Sequence, residues 1–196
     1  MNQFRLSGLA ALLALAGAGT SSCLTPPDYP VEPTISFNNV KLNRILPTNG
    51  NTIEQDELVF TLDFQDGDGD LGLDPNDLLV PPFTIKTGGH NNTGFHKNIF
   101  IQVFKKVNGG SGGFIKYVTP LQPQGSQDTT FPRLDGSIDG KPAPLRGSMT
   151  YKLPPLLLNS GVGYNTGDEV RYEISILDRA MHVSNVITTS SVVLGK

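Results

Sequence analysis

Residues 66–77 read DGDGDLGLDPND, and within them Asp66, Asp68 and Asp70 alternate with Gly67 and Gly69. Alternating carboxylates on a glycine-rich loop can wrap one hard cation, with oxygen donors at about 2.3–2.6 Å. The glycines permit the positive backbone angles that such wrapping needs. Asp74 and Asp77 supply two further carboxylates, at the ninth and twelfth positions counted from Asp66. Calcium is the cofactor this donor set predicts. The competing expectation is a solvated turn between two strands, with Leu71 and Leu73 tucked inward.

The spacing is not that of an EF-hand. That loop needs a glycine at its sixth position, where this chain has Leu71, with Gly72 one place later. The residues before the loop, ELVFTLDF, alternate as a strand does and not as a helix does.

Other chemistry-bearing residues form weaker patterns. His90 and His96 share the polar stretch TGGHNNTGFHKN, and the third histidine is His182. Zinc takes three or four ligands on a rigid frame, so two loop histidines without a thiol partner favour solvated side chains. No Gly-x-Ser-x-Gly elbow is present to mark a hydrolase triad. The NGGSGG stretch at 108–113 lacks the Gly-Lys-Ser/Thr ending of a phosphate loop. Asp135 and Asp139 in LDGSIDGK read as surface turn residues, with a carboxylate pair as the alternative. Asp128-Thr129-Thr130 resembles a short O-glycosylation acceptor with Thr129 as the attachment point, and residues 91–93 match the N-glycan pattern.

The elements that must position these groups have period two. Leu58, Phe60, Leu62 and Phe64 alternate with Val59, Thr61 and Asp63. Met149, Tyr151 and Leu153 form a second such series, and Val170, Tyr172, Ile174 and Ile176 a third. Each predicts a strand with one buried face. Further strands are expected at 35–46, 98–107, 114–119 and 185–194, and a short helical turn at 153–158, limited by Pro154 and Pro155. With 22 glycines, 15 prolines and no tryptophan, the chain favours turns over long helices. About seven strands with such turns predict an all-β fold, an immunoglobulin-like antiparallel β-sandwich. In that fold the loop after the second strand and the turn before the last strand share one end. Asp178 and Asn185 are therefore expected beside Asp66, Asp68 and Asp70.

The N-terminus reads as an address. Arg5 precedes an apolar run, LAALLALAGAG at 9–19, then Thr20, Ser21, Ser22 and the one cysteine, Cys23. The run is too short to span a bilayer. A thiol at that place resembles a bacterial lipobox, with Thr20 where leucine is usual, and predicts lipidation of Cys23. A lone thiol in an oxidising compartment makes no internal disulfide, whereas acyl chains at about 0.8 kcal/mol per methylene anchor firmly. Leu24 after the cysteine favours the outer membrane by likeness to Gram-negative sorting. The expected organisation is a signal peptide over 1–22, a tether over 23–34 and one sandwich over 35–196. Pro26, Pro27, Pro30 and Pro33 favour a polyproline tether, which at ~3.1 Å per residue holds the domain about 30 Å from the lipid.

Together these features resemble outer-membrane lipoproteins of the Bacteroidetes type. The resemblance rests on the Ser-Ser-Cys lipobox, the tether PPDYPVEPTISF, the DGDGDLGL loop, the strand LRGSMTYKLP and the turn DRAMHVSN. Such turns usually read Asp-x-Ala-Gly-Asn; here Met181 and His182 replace the glycine and asparagine. The resemblance implies a sandwich and a membrane address; it implies no activity.

A net charge of −3 without a basic run excludes a nucleic-acid partner of the usual kind. The expected function is a lipid-anchored, non-enzymatic binding or structural module with a protein or glycan partner. The alternative is a metal-dependent hydrolase or glycan-binding accessory protein that uses the 66–77 carboxylates. A glycan platform would draw on Phe83, Phe95 and Tyr164, the obvious loop aromatics.

Overall fold

A computed structural model describes residues 27–47, 53–84, 95–107, 112–119, 123–134, 143–159, 161 and 163–196. Cys23, His90, residues 91–93, Asp135, Asp139 and most of the NGGSGG stretch lie outside the described residues.

Two antiparallel sheets face each other. In the first, β1 (Thr34–Ile45) pairs with β2 (Gln55–Asp66), and β2 pairs on its other side with β5 (Leu145–Lys152) and β6 (Leu156–Leu157). In the second, β3 (Ile99–Lys106) lies between β4 (Phe114–Lys116) and β7 (Glu169–Ile176), and β7 also pairs with β8 (Ile187–Thr188) and β9 (Val192–Val193). Strands one, two and five thus oppose strands four, three, seven and eight. This is the crossover pattern of an immunoglobulin-like sandwich.

Two-residue alternation builds the core. On β2 the buried positions are Asp56, Leu58, Phe60, Leu62, Phe64 and Asp66, with half-buried residues between them. On β7 they include Val170, Tyr172, Ile174 and Ile176. The two rows meet across the sandwich, where Phe60 packs edge-on against Tyr172 with ring centroids 5.0 Å apart. At the first sheet's edge, Phe64 stands opposite Gly147 and its ring fills the space the glycine leaves.

Most expected strands form close to their predicted bounds, with three corrections. Residues 153–158 make no helical turn. Leu153 is buried and its N–H donates to the Leu58 carbonyl at 2.9 Å, while Leu156 and Leu157 pair with β2. The strand expected at 114–119 stops at Lys116, and that expected at 185–194 divides into β8 and β9. Among the described residues, no helix is long and apolar enough to cross a membrane.

Candidate metal centre

The alternation that makes the core also builds the site. Asp66 is the next inward position after Phe64 on β2, and Asp178 is the next inward position after Ile176 beyond β7. Both are even-numbered members of apolar rows, so their carboxylates turn into the sandwich end and not into solvent. Asp66 is 0% exposed and Asp178 1%. An antiparallel bridge between Leu71 and Asp178 then brings the acidic loop against the turn after β7.

Four carboxylates converge there. Asp66, Asp68, Asp70 and Asp178 each present an oxygen within 4.8 Å of the others. One oxygen each of Asp66, Asp68 and Asp70 is buried and accepts no hydrogen bond. The other oxygens are partly engaged: the Asp70 N–H donates to Asp66 Oδ2 at 2.9 Å, and the His182 N–H donates to Asp178 Oδ1 at 2.7 Å. His182 Nδ1 lies 2.9 Å from Asp178 Oδ2.

The electrostatics follow from this crowding. Burial, followed by the charges of Asp68, Asp70 and Asp178, pushes the Asp66 carboxyl up to about 6, against the bond from the Asp70 N–H. Burial raises Asp70, helped by Asp178 and Asp68. Burial also raises Asp178, opposed by the bonds from His182. His182 is itself raised, chiefly by its hydrogen bond to Asp178. At an effective dielectric of about 20, two full charges 4.8 Å apart repel by on the order of 3–4 kcal/mol. Four ionised carboxylates make six such pairs, a total beyond the ~5–15 kcal/mol stability of a whole domain. The cluster therefore either keeps protons or holds a cation, and the three orphaned oxygens fit a cation. All four donors are carboxylate oxygens, the set that suits a hard ion.

Surrounding bonds fix the loop. Leu71 and Leu73 are buried, as expected of a loop folded onto its own apolar residues. The Leu73 N–H donates to the Phe131 carbonyl at 3.2 Å, and the Leu134 N–H to the Leu71 carbonyl at 2.9 Å. From the other side Arg179 donates to the carbonyls of Leu71 and Gly72, at 3.4 and 3.3 Å. Gly69 has φ +71, and a Cβ there would stand 2.1 Å from the Ala143 carbonyl oxygen. Only glycine suits that position.

Two expected ligands lie elsewhere. Asp74 accepts from the N–H groups of Asn76 and Asp77 at 2.6 and 3.1 Å, and Asp77 accepts from the Asp74 N–H at 2.8 Å. These reciprocal bonds start the 3-10 turn Asp77–Leu79. Asp74 also pairs with Arg133 at 3.2 Å. The two carboxylates are thus engaged with their own loop and with Arg133, outside the group of four. Asn185 is also outside the cluster. Its side chain accepts from the Ile35 N–H and donates to the Ile35 carbonyl, both at 2.8 Å. Sequence spacing carries no sign of that clamp.

The remaining candidates have structural surroundings. Thr129 is half-buried, its backbone is bridged to Ile99, and its hydroxyl bonds to Tyr151. Phe83 and Tyr164 are buried, at 7% and 1%, so they form no glycan platform. Tyr164 packs on Tyr117, with ring centroids 5.3 Å apart. The aromatic group the sequence conceals is on the outer face of the second sheet. There Arg171 stacks between Phe114 and Phe104, at 4.4 and 5.8 Å from their centroids.

Comparison of the chain with protein-family models, with curated proteins and with solved structures found no match. The site therefore rests on its geometry. It can bind a cation; chemistry on a substrate would need further groups around that ion.

Proposed function

We propose that this protein is a lipid-anchored outer-membrane module, non-enzymatic, whose sandwich carries one structural calcium ion and serves a binding or structural role. The observation that carries the ion is the set of three buried, unbonded carboxylate oxygens on Asp66, Asp68 and Asp70, facing Asp178. Hard oxygen donors alone favour calcium over zinc, which prefers thiolate and imidazole nitrogen. The anchor is supported by the sequence: a charged start, a short apolar run and a cysteine. The non-enzymatic reading is supported by placement. The ion site lies at a loop-built tip, and two grooves of about 520 and 300 Å³ lie on sheet faces, lined by other residues.

The second reading is a metal-dependent hydrolase, and one observation favours it. Asp178 holds His182 by its Nδ1, as carboxylates orient bases beside catalytic ions. It requires an open coordination position.

Membrane fractionation with metabolic palmitate labelling tests the anchor. The wild type takes up label and sediments with outer membranes, and Cys23→Ala does neither. A wild type that stays unlabelled and soluble refutes the anchor.

A further inference from the structure

We infer that a divalent cation at the four aspartates fastens the Pro-rich segment before β1 to the domain, and that removing it frees residues 29–33. The inference rests on the cation reading above and concerns what the ion controls.

The segment is held by the same two loops that supply the ligands. The Gly67 N–H donates to the Pro30 carbonyl at 2.8 Å. The approach is so close that a Cβ on Gly67 would stand 2.2 Å from the Tyr29 carbonyl oxygen and 2.6 Å from that of Pro30. Pro33 is buried. Two residues on, Ile35 is gripped by the Asn185 amide through both its N–H and its carbonyl. Gly67 lies between Asp66 and Asp68, and Asn185 belongs to the turn that opens with Asp178. Neither contact can keep its place if the two loops part.

Charge decides whether they part. The acidic loop brings three carboxylates and the turn brings one, all within 4.8 Å. Without a cation their repulsion pushes the loops apart; a cation joins them. Glu32, in the same segment, makes the strap itself acidic. The occupant of this surface is therefore the chain's own tether. Docked, residues 29–33 add no length to the tether; released, these five residues add about 15 Å at polyproline pitch. Calcium would set how far from its lipid, and in what attitude, the sandwich stands.

Hydrogen exchange on the full chain, in saturating calcium and in EDTA, tests this, with calorimetric calcium titration in parallel. The Ile35 amide is the reporter and the Phe60 amide on β2 the control for global unfolding. Calcium is expected to slow Ile35 by at least about tenfold beyond any change at Phe60. Cleavage after exposed Glu32 by a glutamate-specific protease is expected to slow in step. In Asp68→Ala both effects vanish. Asn185→Ala keeps all four ligands, so it still binds calcium but loses the Ile35 effect. If calcium binds by calorimetry and Ile35 and Glu32 do not respond, the fastening is refuted and the ion site stands. If no calcium binds, both fall.

Discussion

Calcium should raise the melting temperature, and the Asp66→Asn variant should separate the ion from the fold. Asp66 is the most enclosed member of the cluster, and its Oδ2 accepts the Asp70 N–H. An asparagine oxygen can accept the same bond, so the substitution removes charge and retains shape. For calcium sites of extracellular modules, the tightest dissociation constants are about 10⁻⁴ M, which sets the upper end of the effect. At ~5 mM calcium, about fifty times that value, linkage adds about 2.3 kcal/mol. For a domain of about 150–250 residues that is a rise of roughly 5–9 °C. Without calcium the variant should be the more stable protein. The rise of the Asp66 carboxyl from 3.8 to about 6 corresponds in full to about 3 kcal/mol of penalty on the charged form. Solvent around half-exposed Asp68 and Asp70 screens this to about 1–2 kcal/mol. Differential scanning calorimetry at pH 7.5 should therefore show opposite signs: Asp66→Asn melts above the wild type in EDTA and below it in calcium. An unchanged wild-type melting temperature at millimolar calcium refutes the site. A variant that melts lower than the wild type in both buffers refutes the claim that crowded charge at Asp66 opposes folding without the ion.

Three further outcomes follow from the same geometry. In EDTA the folded protein holds a proton on Asp66 that the unfolded chain releases near 3.8. That contribution is present below about pH 4 and is lost as the pH rises to about 6; in calcium the trend reverses, because the ion displaces the proton, and urea unfolding across pH 4–7 reads both. Met181 has φ +74, in the left-handed region that favours glycine. Met181→Gly relieves about 1–2 kcal/mol of left-handed strain against about 0.5–1 kcal/mol of added unfolded-state entropy, so a calorimetric scan should show a rise of up to about 6 °C. Asn98 is buried and accepts the Phe131 N–H at 2.8 Å, so Asn98→Ala should cost about 1–3 kcal/mol in chemical denaturation.

The strands were legible because burial on one face writes itself as period two. The same arithmetic extends one step past the apolar rows, to Asp66 and Asp178, and this is why the expectation that Asp178 joins the loop carboxylates holds. Asp74 and Asp77 misled because position along a loop was taken for position in space. Counting from Asp66 suits a loop of EF-hand geometry, whereas here buried Leu71 and Leu73 turn the chain away after Asp70. Asn185 was placed at the correct end of the sandwich but given the wrong partner, because an amide that pairs with backbone leaves no pattern in sequence. The Phe104–Arg171–Phe114 stack was hidden for a similar reason. Its members come from three strands, and only the register of β3 with β4 and β7 brings them together.

That comparison bears on why the acidic residues sit where they do. A carboxylate at an inward position is costly to bury unless it is paired. Asp56, at the opposite end of the same row, has one such bond: its Oδ2 accepts the Gly195 N–H at 2.5 Å and so pins the C-terminal residues to β2, while its Oδ1 is buried and unbonded, as that of Asp66 is. Asp66 lies at the other end of β2, equally buried, and its Oδ2 has the Asp70 N–H. What distinguishes the two is the company they keep. Asp66 has three carboxylates gathered around it; Arg179 beside them is turned onto the Leu71 and Gly72 carbonyls, and His182 bonds to Asp178 alone. A sandwich end that needed only closing could use the Asp56 solution twice. An end that gathers four carboxylates and turns its arginine onto the loop could hold a cation from solution.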